Sequence, residues 1–437
     1  MTPPTASTLT SAAIEQRITA LLEAMTPAEK VGQMCLVDAS IEEPSAHLGA
    51  DLRAGRIGAV LNVVDAAQVG ELQRIATTES RLGIPLLVGR DVIHGFRMVM
   101  PIPLGLAATW NCDLVQDCAR AAAREAAAAG INWTFAPMID VSRDARWGRI
   151  AESLGEDPHL ASLMGVALVR GFQGPDLAAG DAIAACAKHF AGYGAVESGR
   201  DYAATNIPEN ELRNVYLRPF QAVVEAGVAS LMTSFSEIDG VPATASTFLL
   251  RDVLRGEWHF GGCVVSDWDS VRQLQEHGLT ENDRESASVA VNAGVDMEMF
   301  GDAFRRHLAD LVASGAVPRA ALDAAVRHIL RVKFALGLPD RRRTTVALDP
   351  DAGRAHAAAI ARQAALESIV LLRNEGRALP LAAPASIAVI GPLADEPAEQ
   401  LGTWVFDGDP ALSITPLAAL RERAGRGTVV LYERALA

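Results

Sequence analysis

The sequence predicts an α/β protein: a (β/α)8 TIM-like barrel followed by the incomplete start of an α/β sandwich domain. Two observations lead to this prediction. Eight short apolar runs, each typical of a buried parallel strand, alternate with helix-forming stretches. Most of these runs end at a polar or charged side chain, as strands do at the face of a barrel that carries its chemistry.

The eight predicted strands converge on one pocket. The apolar runs cover residues 34–37, 58–61, 85–88, 133–139, 183–187, 230–233, 263–265 and 295–299. The polar residues at or near their ends are Asp38, Asn62, Asp91, Asp140, Lys188 with His189, Ser234, Asp267 and Glu298. Because the carboxyl ends of barrel strands meet at one face, we expect about half of these side chains to contact a ligand. The others are expected to cap helices or anchor loops.

The chain of 437 residues divides into four segments. Residues 1–12, rich in Thr, Ser, Pro and Ala, are predicted to be mobile, and residues 13–339 form the barrel. Residues 340–354 are charged, contain Pro and Gly, and lack periodicity, which predicts a linker. Residues 355–437 begin a second α/β unit with a helix over 355–368 and buried strands over 369–374 and 386–392.

Bulk properties exclude several classes of partner. The net charge is -14 and no stripe of Lys and Arg is present, so neither nucleic acid nor an anionic membrane surface is an expected partner. The five cysteines lack the spacing of a zinc or redox site, and no glycine-rich phosphate motif occurs, so no cofactor or metal is expected. The sequence shows no signal-peptide pattern or membrane-length apolar run, which predicts a cytoplasmic protein.

The stretch 262–270 carries the most informative carboxylate. The strand 263–265 leads directly into Asp267, which is followed by Trp268. An aspartate at the carboxyl end of a barrel strand is well placed for catalysis. On this stretch alone an N-cap for the following residues is the more common role of such an aspartate.

Donor side chains occur at two other strand ends. Arg149 lies in a loop with Arg143 and Arg146, where a guanidinium can bind vicinal hydroxyls or carboxylates. The alternative is a salt-bridged loop in which Arg143 and Arg146 pair with Asp140, Asp144, Glu152 or Glu156. Lys188 and His189 are first interpreted as donors to sugar hydroxyls. The alternatives are a Schiff-base lysine of a barrel aldolase and a metal-ligating histidine.

A second carboxylate completes the pattern. Asp91 follows the third strand and precedes Val-Ile-His-Gly, which would make a poor first turn of a helix, so a helix cap is not the favoured role of Asp91. His94 in this stretch is a weak candidate for the second histidine of a metal site. Carboxylates, cationic donors and an aromatic ring in one barrel mouth are typical of a sugar-binding site.

Seven ordered motifs resemble those of glycoside hydrolase family 3, most closely its bacterial β-glucosidases, which are often periplasmic. They are GRDVIHG at 89–95, APMIDVSRDARWGR at 136–149, ESLGEDP at 152–158, KHFAGYG at 188–194, VSDW at 265–268, VLLRN at 370–374 and VIGPLA at 389–394. The resemblance runs from about residue 25 to the end of the sequence. It implies that Asp267 is the nucleophile of a retaining hydrolysis through a covalent glycosyl-enzyme.

The resemblance also assigns the binding residues. It implies that Asp91, Arg149, Lys188 and His189 hold the hydroxyls of the terminal sugar, and that Met232 and Trp268 line the same subsite. The cationic groups of Arg149 and Lys188 are expected to keep the pKa of Asp267 low.

Two departures from the family pattern stand out. Phe235 occupies the position where many relatives have a tyrosine that donates a hydrogen bond to the nucleophile. The acid/base of the family is a glutamate of the second domain, which the resemblance places beyond residue 437. The histidine that serves single-domain relatives has no counterpart in residues 188–194, so the sequence identifies no acid/base.

The expected activity is that of an exo-acting retaining β-glucosidase, which hydrolyses terminal non-reducing β-D-glucosyl residues of small oligosaccharides or aryl β-glycosides. The alternatives are a catalytically impaired sugar-binding barrel and a β-xylosidase of the same family. An incomplete second domain also predicts an exposed sheet edge and a possible homodimer contact.

Overall fold

The structure is a computed structural model that describes residues 11–40, 47–340, 350–381, 384–424 and 427–435. Most of the predicted mobile N-terminus and most of the predicted linker lie outside these residues. The helix expected at 355 begins earlier, at Pro350, and continues to Ser368.

Eight parallel strands form the barrel, one at each predicted apolar run. They are β1 (Cys35–Asp38), β2 (Ala59–Leu61), β3 (Leu87–Arg90), β4 (Trp133–Thr134), β5 (Cys186–Phe190), β6 (Ser230–Thr233), β7 (Cys263–Val265) and β8 (Glu298–Met299). β4 is shorter than its apolar run. Pro137 has no amide hydrogen, so it cannot donate there, although its carbonyl accepts from the amide of Lys188 at 3.0 Å.

Strand pairing closes the barrel. One sheet has the order β8-β1-β2-β3-β4 and the other β5-β6-β7. Parallel bridges from Trp133 to Ala184 and from Met138 to Lys188 join β4 to β5, and a bridge from Val265 to Met297 joins β7 to β8. All eight strands therefore point their carboxyl ends to the same face.

Helices surround the strands. The α-helices of at least six residues are Ala12–Ala24, Pro27–Gln33, His47–Arg53, Ala66–Thr78, Pro103–Ala108, Cys112–Ala128, Pro158–Gln173, Arg218–Glu225, Asp283–Ala293, Ala303–Ala313, Arg319–Ala335, Pro350–Ser368 and Pro416–Arg423. Two π-helical segments, Leu212–Tyr216 and Phe248–Glu257, lie between strands of the second half of the barrel. Within the described residues, no helix combines the length and the apolar character needed to cross a bilayer.

The barrel interior is packed with apolar side chains. Trp133 and Phe135 are fully buried, with ring centroids 4.9 Å apart in an edge-to-face arrangement. A β-carbon on Gly89 of β3 would lie 2.5 Å from the Phe135 ring, so only glycine fits beneath that ring. Dense packing of this kind gives the strand ends fixed positions.

The second unit is a β-α-β arrangement. β9 (Ser386–Ile390) pairs in parallel with β10 (Val429–Glu433), and the helix Pro416–Arg423 precedes β10. The predicted buried strand at 369–374 was wrong: this stretch is irregular, and Leu372 is 92% exposed. β9 was also predicted to be buried, yet its residues alternate between exposed and half-buried, since the described residues provide only β10 as a neighbour.

Candidate active site

Asp267 lies at the carboxyl end of β7, where the chain leaves the barrel. The amide of Ser266 donates to the carbonyl of Met297 (2.9 Å), and the Ser266 hydroxyl accepts from the amide of Met299 (2.9 Å). These bonds fix the turn against β8. The helix-cap role is excluded, because Oδ1 of Asp267 accepts only from the amide of Trp268 (2.6 Å), which directly follows it.

The second oxygen of Asp267 is buried and unpartnered. Oδ2 accepts no hydrogen bond, and Nε2 of His189 lies 3.4 Å away from it. Phe235 has no hydroxyl group to offer, in line with the hydrogen bond that the sequence predicted to be absent. A buried carboxylate oxygen without a donor is costly for folding, and such groups mark functional sites.

His189 is held as a neutral ring. Its backbone amide and Nδ1 both contact Oδ2 of Asp140, at 2.9 and 2.7 Å. Burial, together with the charges of Arg149 and Lys188, lowers the pKa of His189 well below its usual value. Nδ1 therefore carries the ring proton and donates a hydrogen bond to Asp140. Nε2 accepts a hydrogen bond from a terminal nitrogen of Arg149 at 3.0 Å. With its lone pair so engaged, Nε2 has no proton to offer Asp267.

Arg149 is fixed by Glu152. Its Nε and a terminal nitrogen donate to the two carboxylate oxygens of Glu152, at 2.6 and 3.2 Å, and Glu152 is almost fully buried. Burial lowers the pKa of Arg149, but the hydrogen bond and charge of Glu152 outweigh it, so the net shift is upward. Of the other two arginines of the loop, Arg146 forms one of the salt bridges that were the alternative, with Asp144, whereas Arg143 pairs with Glu211, which was not among the expected partners.

Lys188 and Asp91 form an ion pair at the same face. Nζ of Lys188 lies 2.9 Å from Oδ1 of Asp91. Consecutive strand residues normally point to opposite faces, but the register of β5 against β6 shifts between Ala187 and Phe190. Such an irregularity can re-aim a side chain, which lets both Lys188 and His189 serve one site.

The protonation of Lys188 argues against the aldolase alternative. Burial lowers the pKa of Lys188, but the charges of Asp91 and Glu152 outweigh it and the pKa is raised. A Schiff-base lysine must be neutral to attack a carbonyl. The metal alternative also lacks support in the part of the chain described, which contains no group of three His, Cys, Asp or Glu residues placed to hold an ion.

The expectation that Arg149 and Lys188 keep the pKa of Asp267 low was wrong. Burial raises it to about 6, although both cations and the Trp268 amide act to lower it. The sequence reveals the nearby charges but not the degree of burial. At pH 7 the carboxylate is still mainly ionised, because the pH lies about one unit above this pKa.

Aromatic rings border the site. Trp268 stacks on Phe300 with centroids 4.0 Å apart and planes 14° apart. Met232 of β6 is buried and pairs in register with Val265 of β7. Val265 lies two residues before Asp267, so Met232 is close to the nucleophile candidate. Trp404 of the second unit lies with its ring centroid 5.6 Å from the guanidinium carbon of Arg149.

The remaining strand ends have structural roles. Asp38 accepts from Asn62 (2.8 Å), and Asn62 accepts from Arg90 (2.7 Å), which links the ends of β1, β2 and β3. Glu298 accepts from the amides of Ala303 and Phe304 at the start of the helix Ala303–Ala313. These side chains are the caps and loop anchors expected among the polar strand ends.

Comparison with known proteins gives a consistent result. The family model described as "Glycosyl hydrolase family 3 N terminal domain" matches residues 26–332, and the model of the C-terminal domain of that family matches residues 369–434. The chain belongs to glycoside hydrolase family 3. The resemblance read from the seven motifs is thereby confirmed.

Several family 3 proteins are similar over nearly all of this chain. A periplasmic β-glucosidase of Salmonella typhimurium is 40% identical over 98% of this chain and 56% of its own length. A β-xylosidase of Formosa agariphila is 34% identical over 84% of this chain and 55% of its own length. The crystal structure of a variant β-glucosidase from Listeria innocua in complex with laminaribiose has a TM-score of 0.90 and 36% identity, over 97% of this chain and 61% of that one. The chain thus spans little more than half the length of these relatives.

Three participants in this family 3 site were not assigned from the sequence. Asp140 was seen only as a strand end, Glu152 only as a possible salt-bridge partner, and Trp404 not at all. The signal for Asp140 and Glu152 was their place in the motifs at 136–149 and 152–158. Trp404 gives no local signal, because its contact with Arg149 joins residues far apart in the chain.

Proposed function

We propose that this chain carries the nucleophile and the terminal-sugar subsite of an exo-acting retaining β-glucosidase. The substrate class is a small oligosaccharide or aryl β-glycoside with a terminal non-reducing β-D-glucosyl residue. The observation that carries the proposal is the unpartnered Oδ2 of Asp267, buried beside His189 and close enough to Arg149, Lys188 and Asp91 to feel their charges.

The electrostatics suit nucleophilic attack. In a retaining mechanism a carboxylate attacks the anomeric carbon and forms a covalent glycosyl-enzyme, which water then hydrolyses. The attacking oxygen must be ionised and must have a lone pair available for the anomeric carbon. Oδ2 meets the second condition, and a pKa of about 6 meets the first at neutral pH. Burial removes the water that would otherwise stabilise the free carboxylate and slow its attack.

The ion pairs around Asp267 suit sugar hydroxyls. Asp91 with Lys188, and Arg149 with Glu152, each present acceptors and donors from side chains held at fixed positions. Paired charges in a buried site bind a polyol through charge-assisted hydrogen bonds without leaving an isolated charge when the site is empty. We therefore assign Asp91, Arg149, Lys188 and His189 to the hydroxyls of the terminal sugar, with Met232 and Trp268 beside it.

The nearby carboxyl groups are engaged by other side chains, including Asp140, whose pKa burial raises to about 8. Asp91 is paired with Lys188, Asp140 with His189 and Glu152 with Arg149. Proton donation to the leaving group contributes roughly 10²–10⁴-fold. We infer that the described residues alone favour aryl glycosides with good leaving groups over glycosides such as cellobiose.

A β-xylosidase is the second candidate, favoured by the similarity to the Formosa agariphila protein. The two activities differ in the hydroxymethyl group at C5 of the sugar. Comparison of kcat/KM for p-nitrophenyl β-glucoside and p-nitrophenyl β-xyloside decides between them.

The experiment that tests the proposal uses p-nitrophenyl β-glucoside and the Asp267→Asn variant. We expect release of p-nitrophenol by the parental protein and its loss in the variant. Asp157→Asn is a matched control, because Asp157 caps the helix Pro158–Gln173 through the amides of His159 and Leu160. Parental activity in Asp267→Asn would disprove the assignment. Binding of glucose without turnover by the parental protein would instead favour the impaired sugar-binding barrel.

The second unit is a candidate contact between two copies of the chain. β9 and β10 form a two-stranded parallel sheet, and Leu372, Ile390 and Leu431 are more than half exposed. We propose a symmetric homodimer through this apolar surface, since a second copy offers the same surface. Sedimentation that gives a monomer at micromolar concentration would contradict it. The cytoplasmic location likewise stays a prediction.

A further inference from the structure

A segment of the second unit, residues 402–407, lies against the barrel beside the candidate sugar site. Trp404 contacts Arg149, Arg149 donates to His189, and His189 lies 3.4 Å from Asp267. The Trp404 side chain is 45% exposed. The Trp404 ring therefore lies next to a side chain of the candidate sugar site, with nearly half of its surface exposed.

An ion pair fixes one end of the segment. Asp407 accepts from Nε of Arg90 at 2.9 Å and from a terminal nitrogen of Arg90 at 3.2 Å, and both side chains are about nine-tenths buried. The guanidinium of Arg90 also lies 4.8 Å from the ring centroid of Phe406. On the barrel side Arg90 donates to Asn62 at 2.7 Å, so strand ends hold it in place.

A histidine fixes the other end. Nδ1 of His94 lies 2.9 Å from the carbonyl oxygen of Met100, and Nε2 lies 2.5 Å from that of Thr403. Both partners are carbonyl oxygens, so each ring nitrogen of His94 faces a hydrogen-bond acceptor. Next to this contact, a β-carbon on Gly402 would lie 3.0 Å from Cγ2 of Ile102, and the φ of Gly402 is 81°. Glycine therefore allows the segment to approach the barrel this closely.

We propose that Arg90 and His94 are positioning residues that anchor residues 402–407 and thereby hold Trp404 against Arg149 in the wall of the sugar site. The inference rests on the proposed function, since it assigns Trp404 to the same site as Asp267. An isolated surface ion pair would hold little, but a bidentate and nearly buried pair is strongly directional. Fixing the ring before the sugar arrives removes an ordering cost from binding.

The test uses Asp407→Asn, which weakens the Arg90 anchor without touching the barrel. Amide hydrogen exchange of residues 403–406 and the Kd of gluconolactone are measured in the parental protein, in Asp407→Asn, in Trp404→Ala and in the double variant. Glu367→Gln is the matched control, because Glu367 accepts from Asn111 in another contact between the second unit and the barrel.

We expect Asp407→Asn to speed exchange of residues 403–406 and to raise the Kd of gluconolactone about five- to tenfold, the loss of roughly one aromatic contact. In the Trp404→Ala background the same change should speed exchange but leave the Kd unaltered. Glu367→Gln should change neither measurement.

Unchanged exchange in Asp407→Asn overturns the anchor, and faster exchange with an unchanged Kd overturns the role of Trp404. An equal rise in Kd with and without Trp404 shows that Asp407 acts by another route and also overturns the proposal. A parental protein that binds gluconolactone without hydrolysing aryl glucosides defeats the proposed function while leaving this test decisive. No binding of gluconolactone by the parental protein defeats both.

Discussion

Replacement of Asp267 by asparagine should stabilise the protein while abolishing its activity. Burial raises the pKa of this carboxyl from an ordinary 3.8 to about 6 in the folded state. A shift of about two units corresponds to about 3 kcal/mol, because each unit is worth about 1.4 kcal/mol. Asparagine has nearly the same shape as the protonated acid and does not titrate, so it avoids this cost.

The sign of the effect depends on pH. The folded state binds the proton more tightly than the unfolded state, so the parental protein loses stability as pH rises from about 4 to about 6. Asp267→Asn should therefore be more stable than the parental protein by about 2–3 kcal/mol at pH 7 and nearly equal to it below pH 4.

Urea unfolding at pH 4, 5.5 and 7 measures this difference. Asp157→Asn is the control for a real helix cap: asparagine caps about as well as aspartate, so this variant should be close to parental stability. A destabilised Asp267→Asn protein at pH 7, or a difference in unfolding free energy that does not change with pH, would refute the view that the ionised Asp267 carboxylate lowers the stability of the folded protein.

Three further predictions concern the same site and the opposite end of the barrel. The kcat/KM for an aryl β-glucoside should fall tenfold per pH unit below about pH 6, because Asp267 takes up a proton. A kcat/KM that stays constant down to pH 5 would exclude this carboxylate as the group that controls activity. Glu152→Gln should cost about 3 kcal/mol in urea unfolding and lower kcat/KM, because it leaves buried Arg149 without its charge partner; parental stability and activity would show that Arg149 does not depend on Glu152. Lys333 is fully buried with its Nζ bonded only to uncharged oxygens of Gln33 and Gly58, and burial lowers its pKa to about 7. Relative to Lys333→Met, the parental protein should therefore lose stability as pH falls from about 10 to about 7 and then level off; a constant difference across this range would contradict a buried, titrating lysine.

The barrel could be predicted because its signal is local. Each of the eight strands overlaps a short apolar run of the sequence, and at Cys263–Val265 the run and the strand coincide. Parallel strands covered on both faces need apolar residues throughout, which makes them visible without any long-range information. The second unit was harder to predict. Residues 369–374 are as apolar as a strand, but without strand neighbours in the described residues they are irregular and exposed.

The site could be predicted only in part, for a similar reason. Asp267, Lys188 and His189 stand at strand ends and could be chosen one at a time, whereas the neutral state of His189 depends on its burial and on the charges of Arg149 and Lys188. The pKa of Asp267 depends on how deeply the carboxyl is buried, which outweighs the nearby cations that the sequence does reveal. The anchors of residues 402–407 join groups that lie 309 and 317 positions apart in the sequence.

The central claim is that Asp267 attacks the anomeric carbon, and trapping the covalent intermediate tests it most directly. An activated 2-deoxy-2-fluoro-β-glucoside should glycosylate the nucleophile faster than water releases the sugar, because the fluorine destabilises both transition states while the good leaving group rescues only the first. Mass spectrometry of peptides from the treated protein should find one fluorosugar on the peptide containing Asp267 and none in Asp267→Asn. Attachment to another residue, or turnover of aryl glucosides by a protein that never acquires the label, would contradict the account.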